Sequence, residues 1–448
     1  MVTSVHDLTE AARGHAVRLR GDVLAGGAAC ALVAAAFIIP RIFSEQWRRS
    51  LYAGTAPIFG VWLPHVGWGT VPAILLAGAI VTSGPAVAAR LSWRRLLGAS
   101  YAASVCWALS LALIDGWQRG FTERLMDRNE YLYEVPGVTD LAAMLRGFSG
   151  RILDFQPDSW TTHVSGHPPG ALLFFVLLER AGLGGGTSAA WACLLIGCSA
   201  VIAVAVALDA LGARARARAT LPFLVLAPAA LWIAVSADAV FAAATAWAVA
   251  LLAVAARSGR VAAAVGAGVL FGLGAYLSYG LVLMAFPAAA VLIAGRTVRP
   301  LLPALGGALG VALAFTAAGF WWLDGYHSVV QRYYQGIAAE RPFGYWWWGN
   351  LAATVCAVGL ATVAAMPGVL ARWRSRDPAA LLVVAGLCAV LLADASGLSK
   401  AETERIWLPF DVWLLAGTAF LPGPSVRIWL TVQAVGTLLL VHLILTNW

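Results

Sequence analysis

A succession of apolar runs, each near the length of a bilayer span, constrains this chain more than any other feature. A helix needs about 20 mostly apolar residues to cross hydrocarbon, where only internally bonded backbone is tolerated. Such runs lie near 23–40, 70–89, 97–114, 189–211, 221–235, 238–256, 261–277, 281–295, 301–322, 350–370, 379–393, 407–421 and 426–446. That makes about thirteen by the length criterion. The predicted fold class is all-α: a polytopic membrane protein, with 1–448 as a single transmembrane domain and short interfacial helices in its first large loop. The first run reads as a helix rather than a signal peptide, because it is long and no cleavage site followed by a soluble domain comes after it.

Composition agrees. Apolar residues make up 61% and charged residues 12%, against roughly 45–50% and about 25% in soluble proteins. A soluble multidomain enzyme, a disordered chain and a nucleic-acid binder are excluded. The excess of 30 basic over 22 acidic residues is spread over short loops and reads as topology. The six cysteines (Cys30, Cys106, Cys193, Cys198, Cys356, Cys388) all lie in apolar runs and read as small packing residues. No metal or cofactor is assigned.

Lys400 is the only lysine, so the positive-inside rule has to be read through arginine. Arginine clusters occur at Arg90–Arg95, 214–218, 257–260, 296–299 and 372–376. If these turns are cytoplasmic, so is the N-terminus, and the segments 115–168, 322–348 and 394–406 face the other side. Two features strain the scheme. Arg41, Arg48 and Arg49 would face outward, and the apolar piece 170–183 must not cross. At about 14 residues it is short for a span and reads as a re-entrant or half-depth helix.

The outer segments gather the chemistry. Eight of the 22 acids lie between Asp115 and Asp158, in a loop of a length that is usually functional. Within it, 130–135 reads as a short helix stopped by Pro136, and 140–146 as a second, both lying flat at the interface. Most of these carboxylates read as a solvated face. Asp115 ends an apolar helix, and Asp127 and Glu130 are candidates to point into a membrane-level cavity. Next come His163 and His167, with Pro168-Pro169-Gly170. The proline run sets His167 at a helix start, where free N–H groups favour an anion such as phosphate. The second outer loop carries Asp324 and the aromatic run that includes Trp346, an interfacial belt or an aromatic floor for a sugar ring or prenyl chain. In the third, Lys400 and Arg405 are placed to grip a phosphate, with Glu404 orienting the arginine. Asp238 sits at a predicted outer helix start, as a cap or a site residue.

This order of motifs resembles the C-type integral-membrane glycosyltransferases, nearest to the branch of protein O-mannosyltransferases and aminoarabinose transferases. The counterparts are Asn129-Glu130 with Tyr133, then His167-Pro168-Pro169, then Lys400 with Glu404-Arg405-Ile406 and Pro409. The resemblance spans about 115–411 through short motifs. Asn129 stands for the usual aspartate, Ile406 for a tyrosine, and three helices rather than one precede the loop. The resemblance implies a polyprenyl-phosphate sugar donor and transfer on the extracytoplasmic face. The Ala-, Gly- and Arg-rich usage with a single lysine points to a GC-rich bacterial genome, hence a bacterial plasma membrane and an envelope glycan, glycolipid or protein as acceptor. Chemistry then suggests the roles: Glu130, Asp115 or Asp127 as the base for the acceptor hydroxyl, and His163, His167, Lys400 and Arg405, with Glu404, around the departing phosphate. Tyr133, Asp238, Asp324 and Trp346 are left as sugar or acceptor contacts. A single displacement with inversion is the simplest chemistry. A transporter or lipid flippase is the alternative, though no repeat of halves and few mid-span charges are visible. A non-catalytic scaffold is the third reading.

Overall fold

The computed structural model describes residues 5–448, with side chains from Arg20 onward; residues 1–4, where the N-terminus was placed on the cytoplasmic side, lie outside it. Among the described residues the architecture is helical, apart from one antiparallel pair of three-residue strands, Gly60–Trp62 and Ile444–Thr446, with Val61 opposite Leu445. Every apolar run of the sequence has a helical counterpart. Among the described residues, six helices are long and apolar enough to cross a membrane: Arg20–Ile42, Thr70–Arg90, Gly185–Ala210, Asp238–Ser258, Pro378–Ala395 and Gly423–Leu443. Two bent pairs bring the number to at most eight, so a count of thirteen crossings is not confirmed by length.

Burial grades from the centre outward. About 72% of the Asp238–Ser258 span and 61% of Gly185–Ala210 are buried inside the protein, against 22% and 17% for the first two spans. Val23, Leu24, Ile74 and Leu75 on those outer spans are exposed. That inverted pattern is what a lipid solvent produces, since apolar side chains gain nothing there by turning inward. Close helix contact comes instead from small residues. A Cβ at Gly268 would stand 1.8 Å from the Ala304 carbonyl, and one at Gly307 would stand 2.4 Å from that of Val265. These glycines let Val261–Leu277 and Leu301–Ala317 approach backbone to backbone.

The two breaks have different causes and uses. Leu301–Ala317 turns by 77° into Trp322–Gln335, which carries Tyr326, Arg332 and Tyr333 across the end of the bundle. Phe343–Val358 turns by 102° into Leu360–Leu370 at Gly359, whose φ of +82° suits only glycine.

The short apolar helix Pro169–Arg180 starts beside Tyr276, and the helix that follows it, Gly185–Ala210, starts with Gly186 packed on Thr122 and Met126. The far end of Pro169–Arg180 is tied to the same segment as those two residues, where Arg180 donates to the Thr139 carbonyl at 2.8 Å.

The five arginine-bearing turns meet at one end of the bundle. Arg218 bonds the carbonyls of Ala88 and Leu91, Arg214 stacks near Trp93, and Arg216 pairs with Asp377. Gly212 lies against Arg257, and Gly295 against Ala256. The segments 43–69, 115–168, 322–348 and 394–406 meet at the opposite end, through Arg332–Asp154, Tyr333 to Lys400 N, and Arg341 to Tyr52 O. The 115–168 segment is a folded cap rather than a solvated loop. Phe121, Leu125, Tyr131, Phe148, Ile152 and Trp160 are buried under it. Its helix Leu141–Gly147 is capped by Asp140, which accepts from the N–H groups of Ala142 and Ala143.

Candidate active site

At the capped end, three distant stretches converge. Glu130 precedes the short helix Tyr131–Glu134, and its own N–H bonds the Asp127 carbonyl at 2.8 Å. The stretch 161–167 lies against it: His163 N–H donates to the Asn129 carbonyl at 3.0 Å, and Thr161 N–H to Glu134 Oε1 at 2.9 Å. Asn129, standing where the resemblance has an aspartate, also takes the Thr162 hydroxyl at 3.3 Å and thereby braces the loop. The third stretch is 402–405. Ala401 and Glu402 have φ of 68° and 64°, a left-handed pair that drives Thr403, Glu404 and Arg405 into the interior.

Arg405 is 3% exposed and forms the centre. Its Nη1 lies 2.5 Å from Asp238 Oδ2 and 3.3 Å from Ser236 Oγ, and its Nη2 lies 3.4 Å from Glu402 Oε2. Its guanidinium stacks 3.9 Å from the Trp448 ring. The same ring meets His163 at 5.0 Å and Arg124 at 5.8 Å. His163 Nε2 in turn lies 3.7 Å from Glu130 Oε1. His167 Nδ1 is 2.8 Å from the His163 carbonyl and 2.9 Å from the Tyr131 hydroxyl.

Electrostatics follow from burial. Glu130 is 2% exposed, and loss of water raises its pKa from the usual value to about 8; Arg405 opposes the shift and Asp238 adds to it. Burial, then Arg405 and the neighbouring histidine, hold His163 well below its usual pKa, so it is a neutral imidazole at pH 7. His167 is lowered chiefly by burial as well. Arg405 is held still more firmly charged, since Asp238, Glu402 and Glu130 outweigh its desolvation. Asp115 is raised by burial and pairs with His65 at 2.7 Å. A neutral acid near a fixed guanidinium and a neutral imidazole can accept a proton from a hydroxyl once ionised, while the arginine faces a developing negative charge. Among the described residues, no group of three or more His, Cys, Asp or Glu side chains is arranged to hold a metal.

The nominated residues divide sharply. Glu130, His163, His167, Asp238 and Arg405 come together. Asp127 is exposed and builds the turn, accepting from the N–H and side-chain amide of Asn129 at 2.9 Å. Lys400 does not reach the phosphate-binding position expected of it. Its ammonium donates to the carbonyls of Ala338 and Arg341 at 2.8 and 3.1 Å, and so ties the loop 337–341. Glu404 does not orient Arg405; it accepts from Phe59 N–H at 2.9 Å, and burial raises its pKa to about 7. Asp238 and Glu402 do the orienting. Tyr133 and Asp324 are exposed at the surface. Trp346 is fully buried among Leu51, Ala53, Tyr345 and Ala401, a packing residue rather than a sugar floor.

Five participants escaped the sequence reading. Glu402 sits two residues before Glu404, Ser236 two residues before Asp238, and Trp448 follows the second strand of the pair. Arg124 lies in the acid-rich loop with its Nε buried and without a hydrogen-bond partner. His65 is separated from its partner Asp115 by two helices, Thr70–Arg90 and Trp93–Ala112. Asp411 is a sixth oddity: it is fully buried in the apolar helix Leu408–Leu414, and neither carboxyl oxygen has a hydrogen-bond partner.

Fold and site together define an all-helical polytopic membrane protein with a buried carboxylate–arginine–imidazole cluster at one end. Among solved structures the chain is similar to ArnT from Cupriavidus metallidurans in the apo state, at 18% identity and a TM-score of 0.42, over 67% of this chain and 56% of that one. The chain thus spans little more than half the length of that protein. No family model matches the sequence, and no curated protein matches it either.

Proposed function

We propose that this protein is an integral-membrane glycosyltransferase that moves a sugar from a polyprenyl-phosphate donor to an acceptor on the extracytoplasmic face of a bacterial plasma membrane. The observation that carries the reading is the burial of Glu130 in one cluster with Arg405, residues 275 positions apart in the chain (405 − 130), with His163 between them. The base is Glu130. Its raised pKa lies close to working pH, where a carboxylate can both take up and release a proton. The acceptor hydroxyl gives its proton to Glu130 while its oxygen attacks the sugar C1, and the bond from C1 to the lipid-phosphate oxygen breaks. One displacement inverts the anomeric centre. Arg405, held in place by Asp238 and Glu402, faces the departing phosphate. Arg124, whose Nε is free, and the imidazole N–H of His163 supply further donors. The motif order of the sequence supports the donor class.

The test is sugar transfer from a synthetic polyprenyl-phosphate sugar by the purified full chain in lipid. Glu130→Gln protein that remains folded and inserted is expected to lose transfer while still binding donor. Full transfer by that variant removes Glu130 as base. Movement of labelled donor across the bilayer by the native protein, with no glycosidic product, overturns the reading in favour of a transporter.

A further inference from the structure

Arg41, Arg48 and Arg49 lie at the end of the bundle opposite the five arginine-bearing turns, so topology does not account for them. The loop that follows them binds the active-site end directly: Arg341 donates to the Tyr52 carbonyl, and Phe59 N–H to Glu404. Between this loop and the first span lies a groove of about 470 Å³ lined by Phe37, Arg41, Arg48, Gly54, Thr55, Val61 and Trp62.

Its charge is unbalanced. Glu45 is the acid that serves both Arg48 and Arg49, at 2.6 and 2.9 Å. Arg41 has no acidic partner among the described residues; it spends one N–H on the Phe37 carbonyl at 2.5 Å and stacks 3.4 Å over the Phe37 ring. Two guanidinium groups therefore face one groove with donors to spare. The groove also sits at a defined depth. Arg41 is in the last turn of the span Arg20–Ile42, while Ile38, Ile42 and Phe43 beside it are exposed apolar side chains. Trp62, half exposed, closes the wall 5.6 Å from the Phe37 ring. A charged floor above an apolar, lipid-facing flank matches a ligand with a phosphate at one end and hydrocarbon at the other.

We propose that this groove binds the phosphate group of an anionic glycerophospholipid, with Arg41 and Arg48 as the gripping residues and its acyl chains lying along Ile38 and Ile42. The site is separate from the Glu130–Arg405 cluster, and the proposal stands whether or not the chain transfers sugars.

The test is retention of phosphatidylglycerol against phosphatidylcholine by the full chain, read by native mass spectrometry from mixed nanodiscs. The native protein keeps phosphatidylglycerol in preference. Arg41→Gln with Arg48→Gln lowers its retention about tenfold, equal to about 1.4 kcal/mol. Glu45→Gln, which frees Arg48 and Arg49 from their acid, raises retention, and this arm stands even if the double arginine variant fails to fold. Inorganic phosphate at equal concentration leaves the lipid bound. Equal retention of the two lipids, undiminished retention by the double variant, weaker retention by Glu45→Gln, or displacement by inorganic phosphate each overturns the assignment.

Discussion

With its proton held up to about pH 8 by burial, Glu130 is mostly neutral at pH 7 and becomes a base as the medium turns alkaline. The rate of sugar transfer is therefore expected to climb with pH through a midpoint near 8. In Glu130→Gln that climb should vanish, together with about 100-fold or more of the rate; a pH–rate series on both proteins checks it. The same groups set a stability optimum. Glu130 and Glu404 carry raised values of about 8 and about 7, so their contribution is present in acid and is lost as pH rises through those values. His163 and His167 carry lowered values, so their contribution is lost as pH falls below the ordinary histidine value of about 6.5. The carboxyl loss begins above the ordinary glutamate value of about 4.5, so the melting temperature in detergent should peak in mild acid, between about 4.5 and about 6.5. Arg405→Gln leaves the buried Asp238 without its cation, while Glu402 keeps Arg341 at 3.4 Å, and about 3–5 kcal/mol of destabilisation is expected. Adding Asp238→Asn should restore part of it in a double-mutant cycle. Asp411 behaves oppositely. Its carboxyl has no hydrogen-bond partner, so Asp411→Leu is expected to raise thermal stability by about 1–3 kcal/mol.

Helix-scale packing rests on small residues, and the crossing of Val261–Leu277 with Leu301–Ala317 is the sharpest case. Gly268→Val forces the two backbones apart and is expected to cost about 1–3 kcal/mol, read as a lower melting temperature with the cluster residues untouched. Legibility at this scale follows the kind of signal each element leaves. Spans announce themselves by composition. Asp238 was visible as a helix-start acid, but its bond to Arg405, 167 residues later, was not. The choice between Glu402 and Glu404 depended on two consecutive left-handed residues, Ala401 and Glu402, neither a glycine, and no local pattern signals that turn. The strand pair that carries Trp448 to Arg405 is three residues long on each side, too short for periodicity to reveal. The rarity of Lys400 says nothing about which carbonyls its side chain meets.

For the whole molecule, the two ends differ in charge as well as in chemistry: arginine turns at one, the acid-rich cap and the buried cluster at the other. A cysteine introduced at Ser258, in the arginine end, is expected to be labelled by an impermeant thiol reagent only in inverted vesicles. One at Phe155, exposed on the cap, should be labelled in intact cells, with the native protein as background. Reversed labelling would put the candidate site on the cytoplasmic side and remove the proposed donor. Lys400 has a last consequence. It is the only lysine in 448 residues, and its ammonium is buried between two carbonyls. Apart from the terminal amine, the folded chain therefore offers an acylating reagent almost nothing to modify. A pulse of such a reagent becomes a one-position clock for the moments when the 337–341 turn lets go of 400, read from a single tryptic peptide against a silent background.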